Sequence, residues 1–170
     1  MTTIVKHLLA ELEREAVKTR HALERVPEGR DDWKPHEKSM PLGYLSALVA
    51  AMLTWIAAIV EQDSLDLSSP GEFQTSKGFP TRSALLETFD QSVERARQAL
   101  ASTTDEHLET PWQLLVSGQV VQDTTRYVAI RDTVINHLAH HRGQLTVYLR
   151  LNAAAVPAIY GPSADERSFG

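Results

Sequence analysis

The chain has 170 residues and a mass of 18.9 kDa, with 42% hydrophobic and 23% charged residues, the make-up of one folded domain spanning 1–170 and not of a disordered, collagen-like or low-complexity protein. Seventeen Lys and Arg against 22 Asp and Glu leave a net charge of −5, which argues against nucleic acid or an anionic membrane as partner. The absence of cysteine excludes disulfides, thiolate catalysis and Cys-bound metal, so any metal has to rest on His, Asp or Glu.

The N-terminal MTTIVKHLLAELEREAV alternates charged and apolar residues and has no run long enough for a signal-peptide core, so a cytoplasmic location is expected. Ile4, Leu8, Leu12, Val17 and Leu23 recur with a helical period, which predicts a first helix over residues 2–25. Pro27 and Gly29 end it, and the loop EGRDDWKPHEK follows. With Ser39 as N-cap and Pro41 in the first turn, Leu42, Leu45, Val49, Met52, Leu53, Ile56 and Val60 predict a second helix over residues 40–61. Ser46, Thr54, the many alanines and the lack of positive flanks make this stretch a buried helix and not a membrane span.

The Ser-, Gly- and Pro-rich DSLDLSSPGEFQTSKGFP is a long connection. Thr81 or Ser83 then caps a third helix running to Ser102, with Leu85, Leu86, Phe89, Val93, Ala96 and Leu100 inward. PWQLLVSGQVVQ holds two β-prone pieces around Ser117-Gly118, either a small hairpin or an extended loop. From Thr124 the helical period returns and persists to Leu151, before Pro157, Gly161 and Pro162 end regular structure. The expected fold class is all-α: a four-helix bundle with long crossover loops and, as one option, a small β-hairpin before the last helix.

Three of the seven histidines lie within INHLAHHRGQ. At about 100° per residue, His137 and His141 sit about 40° apart on one helical face with Ile130, Val134, Gln144 and Tyr148, while Asp132, Arg142 and Thr146 lie opposite. Two imidazoles so placed can reach a common Zn²⁺, Ni²⁺ or Fe²⁺ ion about 2 Å from each nitrogen. They can equally be core or interface residues hydrogen-bonded to neighbours. His140 is a group behind the pair or on the surface, and His7, His21, His36 and His107 stand alone in structural or solvent-facing roles. No nucleophile elbow and no glycine-rich phosphate loop occur, so no nucleotide cofactor is expected. The carboxylates of the first and third helices alternate with Arg and Lys as a solvated face does. Trp33, Trp55, Trp112 and Tyr148 are spaced as core or loop anchors.

DDWKPHEKSMPLGYLSALVA, TRYVAIRDTVINHLAHHRGQLTVYLRLN and the closing VPAIYGPSADE together resemble the DinB/YfiT-like metalloenzyme family. The resemblance runs nearly end to end and implies a four-helix bundle, commonly a homodimer, with a divalent metal on three histidines. His137 and His141 match the HxxxH pair of the last helix. The helix-two ligand falls in a pattern like LGxLxxH, and LGYLSAL places Leu48 at that position. Leucine offers no lone pair, so the third ligand is left open. His21 is a candidate without spacing support; water or substrate could complete a two-histidine shell; or the metal has been lost. The resemblance further implies a metal-dependent transferase of a low-molecular-weight thiol, such as bacillithiol or mycothiol, or a hydrolase, with Gln144 and Tyr148 placed to orient a small-molecule substrate. The alternative it leaves is a non-catalytic small-ligand-binding or structural bundle dimer.

Overall fold

The computed structural model describes residues 3–68 and 78–167. Helix α1 (Thr3–Leu23) buries Val5, Leu8, Leu12, Ala16, Ala22 and Leu23. Val17, expected on this stripe, is 55% exposed; its place is taken by Ala16 together with Glu15 and Thr19, both buried. Helix α2 (Leu42–Ala51) starts at Leu42 with Pro41 at its N-cap and no side-chain cap, so Ser39 does not fill the expected capping role. Its first amides are satisfied from the preceding loop instead: Leu42 N–H donates to the Trp33 carbonyl at 2.8 Å and Gly43 N–H to the Asp31 carbonyl at 3.0 Å.

The expected second helix is two helices. Helix α3 (Thr54–Glu61) follows α2 at a bend of 46°. No proline or glycine causes the break. Thr54 Oγ1 donates to the Ala51 carbonyl at 2.7 Å, and Trp55 and Ile56 bond three residues back to Met52 and Leu53, tightening the turn locally. Both helices are nearly all buried. Among the described residues no single helix is long and apolar enough to cross a membrane. Helix α4 (Arg82–Ser102) begins as expected, with Ala84 N–H on the Thr81 hydroxyl at 3.2 Å, and packs against α1, α2 and α3.

The molecule is mostly helical but not all-α. After the short α5 (Asp105–Leu108), β2 (Pro111–Val116) and β3 (Gln119–Thr125) form the hairpin that the sequence left open. Ser117 and Gly118 both take positive φ, 51° and 75°, the paired left-handed turn that matches the twist of a two-residue hairpin. A third strand, β1 (Ser64–Asp66), pairs parallel to β2 inside the stretch expected only as a long connection. Only Leu65 of its three residues is buried, too short a run to display a period of two. The rest of the long connection, residues 69–77, lies outside the described residues.

The last helical stretch comprises α6 (Arg126–Ala129), a π-helical segment (Ile130–Asn136) and α7 (His137–Leu151). It packs on α1, α2 and α3, and one hydrophobic core, from Val5 to Leu149, joins these elements.

Candidate functional site

The π-helical turns end where the histidines begin. Such turns bond five residues back and hold more residues than an α-turn, so angular offsets for a uniform α-helix apply from His137 onward and not across 130–136. His141 is 7% exposed and His137 half-buried. Their ring centroids are 4.5 Å apart and their Nε2 atoms 2.8 Å apart. The outer nitrogen of each ring is tied to an oxygen: His137 Nδ1 lies 3.3 Å from the Thr133 carbonyl, and His141 Nδ1 lies 2.8 Å from Gln144 Oε1. Trp55 covers His137 edge-on, with centroids 6.3 Å apart.

Burial is the largest influence on both imidazoles and holds each below the usual histidine range, against the Thr133 and Gln144 hydrogen bonds that favour the charged form. Both shifts favour the neutral ring, the state in which imidazole ligates metal. With metal–nitrogen distances near 2.05 Å, two nitrogens of one ion stand about 2.9 Å apart at a right angle and about 3.3 Å apart at the tetrahedral angle. The 2.8 Å separation is the length of an N–H···N hydrogen bond between the rings and lies close to the shorter of these two values. The two Nε2 atoms could serve as two ligands of a divalent ion, the remainder of whose shell would have to come from outside the described residues. Leu48, on the helix that packs against α7, is half-buried against the core and supplies no donor. Among the described residues no group of three His, Asp or Glu side chains converges to hold a metal.

A family model described as the DinB family matches residues 1–168. The chain belongs to the DinB family. Two solved structures share its fold: a DinB-like protein, YjoA, of Bacillus subtilis, with a TM-score of 0.66 at 18% identity over 95% of this chain and 99% of that one, and a DinB-like protein of Bacillus cereus ATCC 10987, also with a TM-score of 0.66 at 18% identity, over 87% and 92%. The uncharacterized protein YrdA of Bacillus subtilis strain 168 is 52% identical over 33 residues, 19% of this chain and 20% of YrdA. The chain thus matches one fifth of that relative's length.

In this DinB protein the two residues expected to orient substrate have partners of their own. Gln144 bridges His141 and His140, its Nε2 lying 3.0 Å from His140 Nε2. Tyr148 donates its hydroxyl to the Met40 carbonyl at 3.1 Å and meets Trp33 edge-on. His21 is exposed on α1 and joins no metal-holding group. His107 Nε2 sits 2.8 Å from the Val60 carbonyl, and His36 Nδ1 accepts from Lys38 N–H.

A second buried cluster runs counter to the solvated reading of the α1 carboxylates. Glu15 Oε2 lies 2.6 Å from Arg142 Nη2 and accepts from the Tyr160 hydroxyl at 2.6 Å; Arg142 Nη1 donates to Thr19 Oγ1 at 2.9 Å. Arg142 is 1% exposed. The sequence carries a signal for it: Leu8, Leu12, Glu15, Thr19 and Leu23 are spaced four, three, four and four, so the carboxylate stands on the core stripe of α1. Its partner on the far side of α7 from the histidines carried no such mark.

Proposed function

We propose that this DinB protein binds a divalent cation, Zn²⁺, Ni²⁺ or Fe²⁺, through His137 and His141 alone, leaves the other coordination positions to substrate and water, and acts as a transferase of low-molecular-weight thiols or as a hydrolase. The observation that carries this reading is the pair of Nε2 atoms 2.8 Å apart while both Nδ1 atoms face oxygens. The Thr133 backbone carbonyl only accepts, so His137 carries its proton on Nδ1 and presents a lone pair at Nε2; with the Gln144 amide oxygen toward His141 Nδ1, a neutral His141 presents a second lone pair there. Two lone pairs at that distance repel unless an electron-poor centre lies against both. A divalent ion that keeps water or substrate in the rest of its shell would satisfy both nitrogens at once.

Such an ion lowers the pKa of a coordinated thiol or water and so supplies a nucleophile at neutral pH. The protein's part is to fix the rings. Thr133 and Gln144 set their tautomers, Trp55 shields one side of His137, and Leu48 leaves a coordination position to the substrate instead of to the protein. The second reading, a non-catalytic small-ligand-binding or structural bundle, is favoured by Leu48 and by the missing third donor among the described residues.

The test is metal analysis of protein purified without an affinity tag, joined to melting curves with Zn²⁺, Ni²⁺, Mn²⁺ or chelator. At a free ion concentration 100 times Kd the folded state gains about 2.7 kcal/mol, a rise of roughly 5–10 °C at this chain length. His137→Ala or His141→Ala should abolish the rise. Leu48→His should tighten binding by on the order of 100-fold, one donor's share of a multi-ligand site. No rise with any of the ions in the wild type would defeat the cation reading, and a Leu48→His variant that then gains one would mark a site that has lost its metal.

A further inference from the structure

Four hydrogen-bonding groups are linked in a row: the half-buried His137, the buried His141, Gln144 and the exposed His140. The contacts are Nε2 to Nε2 at 2.8 Å, Nδ1 to Oε1 at 2.8 Å, and Nε2 to Nε2 at 3.0 Å. The inner end is fixed, because the Thr133 carbonyl accepts from His137 Nδ1 and leaves His137 Nε2 as a lone pair. Each remaining donor and acceptor then follows from what meets that lone pair.

With every ring neutral, two arrangements satisfy every contact. In the first, a cation takes both Nε2 lone pairs. His141 then carries its proton on Nδ1 and donates to Gln144 Oε1, and the amide NH₂ donates to an unprotonated His140 Nε2. This is the sense in which the Gln144 amide stands in the structure. In the second, His141 carries its proton on Nε2 and donates directly to His137. Its Nδ1 is then a lone pair, which only the Gln144 NH₂ can meet. The amide oxygen thereby turns outward and needs a proton on His140 Nε2. Each arrangement holds one proton per ring, so passage between them changes no net charge.

We infer that Gln144 is a positioning residue whose amide turns by half a rotation when the histidine pair takes up a cation, reversing the donor and acceptor sense of the row and reporting occupancy of the buried site at His140 on the surface. This rests on the two-histidine cation site proposed above and adds to it a route by which a partner or substrate touching His140 biases metal uptake. A ligand that accepts from His140 Nδ1 favours the loaded arrangement, and one that accepts from His140 Nε2 opposes it. By linkage the bias is reciprocal.

The experiment is a two-bond proton–nitrogen correlation spectrum of ¹⁵N-histidine-labelled protein, with chelator and with one equivalent of Zn²⁺. In the wild type, zinc should move the proton of His141 and that of His140 from Nε2 to Nδ1. Gln144→Glu offers acceptors on both sides. It should hold His141 on Nδ1 before zinc is added, keep His140 on Nε2 throughout, and lower the zinc Kd by about 10-fold or more. Gln144→Leu should leave His140 unresponsive while zinc still shifts His137 and His141. A zinc-bound His137–His141 pair with an unchanged His140 overturns the inference and spares the cation site, as does an equal His140 response in Gln144→Leu. Zinc that perturbs neither His137 nor His141 overturns both.

Discussion

His141 and Arg142 are neighbours on α7, 7% and 1% exposed, and they build opposite kinds of polar cluster. On the Arg142 side the ion pair is closed. The guanidinium meets Glu15, Thr19 and Tyr160, and Tyr160 in turn donates to the same Glu15 carboxylate. On the His141 side two imidazole nitrogens meet at 2.8 Å with their outer nitrogens already engaged, and the roles within that contact depend on where the protons sit. A cluster whose donors and acceptors match in one fixed way contributes to stability and has no need of a ligand; one whose imidazoles can free two lone pairs toward a common point has chemistry to offer. The tail from Val156 to Glu166 belongs to the first kind: Tyr160 reaches Glu15 and Arg142, while Arg25 holds Glu166 and Arg150 holds Asp165.

The contrast breaks most sharply at Arg142. Arg142→Met takes from the buried Glu15 carboxylate its guanidinium partner, leaving it the Tyr160 hydroxyl and Lys18 at 3.5 Å, and should cost about 3 kcal/mol, the low end for a broken buried pair, read as a fall in Tm of roughly 6–12 °C. The double variant with Glu15→Leu should regain most of it, since an apolar pair of similar volume often replaces a buried ion pair without loss. If the single variant melts like the wild type, the cluster is not structural. Acid should act on the same side. Burial alone would raise the Glu15 carboxyl, but hydrogen bonds from Tyr160 and Arg142 and the latter's charge bring it below its usual 4.5. A depressed carboxylate contributes stability that is complete above pH 4.5 and is lost as the pH falls through the lower folded value. Glu15→Gln should flatten the Tm profile in that acid window and leave its shape between pH 6 and 8 unaltered.

Smaller effects sharpen the comparison. Tyr160→Phe removes one hydroxyl from the closed cluster and keeps the ring under Lys18, 4.2 Å from its centroid, so a loss of about 0.5–1.5 kcal/mol is expected in chemical denaturation. The smallest change should follow His137→Ala in the presence of chelator. Without a cation that substitution removes the hydrogen bond between the two rings along with some packing against Trp55, and no more than about 1 kcal/mol should be lost. A loss as large as that of Arg142→Met would show that the histidine pair serves to hold the fold.

Much of the helical layout was legible in the residues. Leu85, Phe89, Val93, Ala96 and Leu100 form the buried face of α4, and Thr81 caps it. Ser117-Gly118 makes the turn its composition suggested. The break between α2 and α3 was not legible, because Met52, Leu53, Thr54 and Trp55 continue an apolar helical pattern without a breaker, and the bend follows from the Thr54 hydroxyl on the Ala51 carbonyl. Strand β1 was hidden for a different reason, since its pairing partner lies about fifty residues away at Gln113–Leu115 and a strand exists only with its neighbour.

At the site, the i, i+4 spacing of His137 and His141 by itself determined that the two rings share one helical face, because that follows from helix geometry alone. The sequence likewise determined that position 48 contributes no donor. Tertiary structure decided the rest: that burial favours the neutral form of both rings, that their Nε2 atoms meet at 2.8 Å, that Gln144 serves the histidines, and that Arg142 finds Glu15 across the helix layer. Each of these depends on which groups approach from elsewhere in the chain, and desolvation and hydrogen-bond direction are properties of that meeting, not of any residue alone.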